Sequence, residues 1–287
     1  MGQDRRGNLQ GLVTQPRYTM NSQEKDMRKH GSLLASPINC YSPRPVAVCM
    51  NTRALPSVGE HRYYVAAAIG VIVVVLAGFS IDIPLLSQLG SVSVLVRVHG
   101  MVMLTWIALF FVQALLVARH RVDLHMHLGI LGAALAVVVV TADTATLIVA
   151  CRLGGDHMPP HMPAPLFLAL GLFNLATFAV LVSAAIVLRK RRSDWHKRLM
   201  LLAAILLLDA ALARFINHYT SWNIDPSTLR NLLMLACIAI DTFRYRRLHP
   251  ASVLGGLLLV GNDYLATWVA GISAWSSFTA WLTTTPA

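Results

Sequence analysis

Apolar residues along this chain gather in long runs separated by short polar segments. The runs fall at about 63–83, 94–118, 127–150, 164–189, 197–218, 229–245 and 251–272. The hydrocarbon core of a bilayer is about 30 Å thick and a helix rises 1.5 Å per residue, so one span needs about 20 mostly apolar residues. Barrel strands would need only about ten residues in strict alternation, and these runs are longer and do not alternate. The pattern predicts an all-α, polytopic transmembrane bundle of about seven helices over residues 61–287. The sixth run is the shortest, and Gly261-Asn262-Asp263 interrupts the seventh. Residues 1–60 are rich in Arg, Lys, Ser, Pro, Gln and Asn with no helical period, so they cannot bury enough apolar surface to offset their ordering entropy. They read as a disordered basic cytoplasmic tail, in which Met20, Met27 and Met50 offer alternative starts.

Composition agrees with that picture. Of 287 residues, 56% are hydrophobic and 13% charged, where a soluble domain carries about a quarter charged residues. The net charge of +11 raises the question of nucleic acid, and its location answers it. Of the 24 Lys and Arg, all but Arg97, Arg152, Arg214 and Arg230 lie in the tail or around the segments after the second, fourth and sixth runs. Such one-sided placement is a topology signal. It predicts a cytoplasmic N-terminus and a C-terminus on the opposite side, with the lipid bilayer and not nucleic acid as the partner. Cys40, Cys49, Cys151 and Cys237 form no CxxC pair, and no internal disulfide is expected.

Ionisable groups inside spans are costly, so each needs a partner or a job. The set is Arg97, His99, Asp143, Asp209, Arg214, Asp241 and Asp263, with neutral Gln113, Asn174, Asn217 and Asn262. Helical rise puts His99, Asp143 and Arg214 in the outer third of the bilayer, and Asn174, Asp209 and Asp263 nearer its middle. Asp143 and Arg214 are expected to face each other. Two readings follow: a structural ion pair, or a polar pocket of Asp143, Asp209 and Arg214 open to the outer face, with His99 as ligand or proton carrier.

A second cluster marks the inner face. Leu124-His125-Met126-His127-Leu128-Gly129 opens the third helix and Trp195-His196-Lys197-Arg198-Leu199-Met200 the fifth. His125 (or His127) and His196 therefore share a depth, as axial ligands of a haem iron must. His99, His125 and His196 are the candidate iron ligands for a haem b, and Arg198 and Arg214 the candidate partners of its propionates. The alternative is that these histidines are interfacial residues beside basic loops. The connector at 157–163 contains two His-Met-Pro units, similar to a soft-metal site for copper(I), and is otherwise an ordinary Pro-rich link. No GxxxxGK[ST], GxSxG, HExxH or CxxCH is present, so nucleotide hydrolysis, serine-hydrolase chemistry, zinc proteolysis and covalent haem attachment lack support.

The segments His99-Gly100 with Trp106 and Gln113, Leu124-His125 with Leu128-Gly129, Asp194-Trp195-His196-Lys197-Arg198-Leu199-Met200, Arg214, and His249-Pro250 with Gly255-Gly256 resemble a family of uncharacterised bacterial multi-pass inner-membrane proteins. The resemblance covers about residues 63–285 and implies a bacterial inner-membrane location. Where that family often has Arg after the third-helix histidine, this chain has Met126 and His127. More distantly, the two helix starts are similar to b-type membrane cytochromes and haem–copper oxidase assembly proteins. That likeness implies haem-linked electron transfer or respiratory-complex assembly, with a redox partner in the membrane. The rival reading is a small-solute or proton-coupled transporter, or a membrane sensor, without a redox cofactor. Asp143, Asp209 and Arg214 then form a charge relay or substrate site, although no inverted repeat is evident. The third is a scaffold whose polar residues only hold helices together.

Overall fold

The computed structural model describes residues 58–80, 94–155, 158–159, 162–220 and 224–284. Residues 1–57 of the expected N-terminal tail lie outside the described residues, as does part of the His-Met-Pro connector; residues 58–60, expected in that tail, instead open the first helix. The described residues form nine helices: α1 Val58–Phe79, α2 Val94–Ala118, α3 Val122–Leu153, α4 Ala164–Leu188, α5 Ser193–Leu206, α6 Asp209–Tyr219, α7 Pro226–Tyr245, α8 Pro250–Ala270 and α9 Ser273–Thr284.

Local chemistry sets several ends. Asp225 caps α7 by accepting from the Thr228 N–H at 3.3 Å, and the His249 Nδ1 caps α8 by accepting from the Ala251 N–H at 3.1 Å. Each cap is followed by a proline, whose missing N–H costs nothing in a first turn. The α2–α3 and α7–α8 turns are tight, with His120 and Arg246 in the left-handed region at φ 57° and 54°.

Antiparallel neighbours follow from the short connections. Helix α2 packs between α1 and α3, α4 between α3 and the pair α5 and α8, and α6 between α1 and α7. The second half of helix α5, from Leu199 on, is apolar all round and is buried; Leu201 through Leu206 are almost fully covered. The outward faces carry exposed Val73, Ile130, Val187 and Leu257. Five helices (α1, α2, α3, α4 and α8) are long and apolar enough to cross a membrane, and α5 with α6, bent by 42° at their junction, is apolar enough to form a broken sixth span or a re-entrant loop. These features define a multi-pass, all-α membrane bundle.

Two elements differ from the sequence expectation. The fifth apolar run is not one helix, because it breaks at Leu207-Leu208 between α5 and α6. Neither Pro nor Gly stands there. The bend is held by tertiary contacts: Leu206 and Leu208 are buried at 1% exposure, and Asp209 is drawn into a polar cluster. The chain also continues past α8 into α9, whose Trp275 Nε1 donates to the Pro165 carbonyl at 2.8 Å. The sequence pattern places the last apolar run only to about 272, since serines and threonines dilute the sequence beyond it.

Candidate functional site

Arg230 enters from the first turn of α7 and is fully buried, at 0% exposure. Its Nη1 donates to Asp209 of α6 at 2.5 Å and its Nη2 to Asp263 of α8. Asn231 also donates to Asp263, at 3.2 Å. From α4, Asn174 donates to Asp209 at 3.2 Å. Asn262 donates to Asn174 at 2.7 Å and accepts from Thr177 at 2.9 Å. Four helices thus contribute to one polar network. Asp209 lies about 15 Å below the Tyr219 end of α6 by helical rise, directly after the break. A carboxylate in the first turn of a helix meets the positive end of its dipole. The carboxylates keep an open side, with side chains 29% and 16% exposed, while the guanidinium between them is sealed. The Oδ1 atoms of both acids and the Arg230 Nε are buried without a hydrogen-bond partner.

The expected outer pocket resolves differently. Asp143 lies 3.3 Å from the His99 Nδ1, across the α2–α3 interface. Arg214, its expected partner, stacks over Phe79 of α1 at 4.6 Å and donates to the Ala210 carbonyl. Asp209 pairs with Arg230. The sequence reads Arg230 as an outer-flank charge, yet it stands one turn inside α7, and Asp263 lacked an obvious cation. That mismatch was the available signal. Nothing in the sequence named Arg230 over Arg214 as the partner, because the choice depends on which helix faces α6 and α8.

At the opposite end, the expected approach of His125 and His196 is seen: their rings meet edge-on with centroids 6.3 Å apart. The His196 Nδ1 is bonded to the Ala185 carbonyl at 2.9 Å, so it carries the hydrogen and leaves the Nε2 lone pair. That is the tautomer a ligating imidazole uses. His125 differs. With the Gln113 carboxamide of α2 oriented so that its oxygen accepts from the Gly129 N–H at 3.0 Å, its nitrogen donates to the His125 Nδ1 at 2.5 Å. A neutral His125 then carries its hydrogen on Nε2, the nitrogen iron would need. Arg198, expected at a propionate, is instead held by Asp241 through two bonds of 2.8 and 3.1 Å, both side chains being 5% exposed. Tyr245 covers it at 5.1 Å. His99 lies near the other end of α2, and Arg214 on Phe79. His196 and His125 therefore approach one another, while Arg198 is held by Asp241 and His99 and Arg214 lie elsewhere. His127 turns away and bonds the Asp123 carbonyl at 2.8 Å. Among the described residues, no three His, Cys, Asp or Glu side chains converge on a point for a metal ion.

Fold and site together define the class: a multi-pass helical membrane protein with a buried charge network at a broken helix. No family model, curated protein or solved structure matches the chain.

Proposed function

We propose that this protein is a secondary transporter of a small solute, working at the Asp209–Arg230–Asp263 cluster without a redox cofactor. The observation that carries this reading is a fully buried arginine held between two carboxylates beside a break in a membrane helix. A charged residue inside a bundle is expensive and marks a substrate or ion path more often than a merely structural contact. Transporters place such groups where a helix is interrupted, because the freed backbone and the helix end both face the site. In this reading α7 crosses the membrane with the others, its polar side turned to the bundle. The N-terminus is cytoplasmic and the membrane is the bacterial inner membrane.

The test is charge movement by the reconstituted full chain on a solid-supported membrane. Steps of sodium, of pH and of amino acids, organic anions and sugars are applied in turn. At least one step should give a transient current absent from protein-free vesicles. Asp209→Asn should abolish it while leaving membrane insertion intact. Silence under every step overturns the proposal.

A second reading, non-covalent haem binding for electron transfer or respiratory assembly, is favoured by one observation: the approach of His125 and His196. It requires Gln113 and His125 to rearrange first. Protein purified from haem-replete cells should then show a b-type spectrum that His196→Ala weakens. A colourless protein that takes up no added haem removes this reading.

A further inference from the structure

The cluster contains two carboxylates and one guanidinium. With all three ionised it holds one excess negative charge. Uncompensated charge buried in a bundle costs several kcal/mol. Among the described residues, the side chains bonded into it from the packed helices are neutral apart from Arg230 and the two acids: α4 offers Asn174 and Thr177, α7 offers Asn231 beside Arg230, and α8 offers Asn262 beside Asp263.

Three buried atoms point to what completes the site. The Oδ1 atoms of Asp209 and Asp263 are acceptors without a donor. Arg230 is wholly buried, and its Nε is a donor without an acceptor. A hard metal cation needs six or more oxygen ligands and would sit against the guanidinium. A proton needs one oxygen and no shell. Both carboxylates are bonded to the same guanidinium, so a proton on the free oxygen of either one balances the cluster.

We propose that the coupling ion of this transporter is a single proton shared by Asp209 and Asp263; the inference rests on the transport reading for the proton's role, not for its seat. The proton comes from water and forms one O–H bond to a free carboxylate oxygen, and no other bond changes. The protonated cluster is neutral, and deprotonation restores the excess charge. Arg230 holds the two acids together, and the free oxygens that would take the proton are buried, in side chains that are 29% and 16% exposed elsewhere.

Dicyclohexylcarbodiimide tests this directly. It adds to a protonated carboxyl in an apolar site and leaves a stable acylurea, read as a mass increase on the peptide. The detergent-purified full chain is treated across a pH series. Label should appear on Asp209 or Asp263 on the acid side, then fall about tenfold per pH unit once the proton is lost. Asp209→Asn and Asp263→Asn each leave one acid opposite Arg230. Each balanced variant should fold, and each should lose the label on the acid that remains. Infrared spectra of the same samples should lose the protonated-carboxyl band in both. A wild-type protein with neither label nor band overturns the proposal, as does label that persists in both variants. Label without solute-driven current keeps the proton seat and removes the transport reading. Current without label does the reverse.

Discussion

Arg230 has the largest electrostatic liability of any described side chain: full burial, a permanent charge, and two acids that depend on it. Removing one member of a buried ion pair leaves its partner uncompensated and costs about 3–5 kcal/mol, whereas replacing all members by neutral groups costs far less. Arg230→Gln alone should therefore lower the stability of the solubilised protein by about that amount. Combining it with Asp209→Asn and Asp263→Asn should recover most of the loss. Thermal unfolding in detergent measures both; strictly additive losses would mean that the three residues do not interact. The outer pair obeys the same logic more weakly, because His99 and Asp143 are only partly covered.

Close helix approach sets a sharper constraint than hydrophobicity at the scale of elements. A Cβ placed on Gly78 of α1 would stand 2.2 Å from the Ala211 carbonyl oxygen of α6, and backbone cannot yield as a side chain can. On Gly70 of the same helix it would meet nothing within 4 Å. Small residues let membrane helices pack backbone to backbone. Gly78→Ala should force α1 from α6 and cost about 3 kcal/mol, the upper end of overpacking penalties. Gly70→Ala should be neutral or slightly stabilising in the same unfolding assay. Because α6 begins at Asp209, Gly78→Ala should also lower transport, which Gly70→Ala should not.

The charge pattern predicts the topology of the whole molecule. A reporter active only outside the membrane should give signal when fused after Ala287 and none when placed in the 190–193 segment. The reverse result would overturn the cytoplasmic N-terminus. Deleting residues 2–49 should leave insertion unchanged, since the sequence predicts no core there.

What the sequence determined by itself was one-dimensional: run length, run spacing and one-sided charge. These follow from the thickness of the bilayer and the cost of moving cations across it, neither of which depends on neighbouring helices. The ends of α2, α4, α7 and α8 were therefore legible within a few residues. So was the meeting of His125 and His196, which both open helices at the basic end. The rest was decided in three dimensions. Asp143 chose His99 and Asp209 chose Arg230 because helix rotation and adjacency determine which side chains face each other, and residue depth carries no information on either. The break before Asp209 has no local cause in its three leucines. Just after it, Asp209 is held by an ion pair to α7 and a hydrogen bond to α4, contacts that only the packing of separate helices supplies.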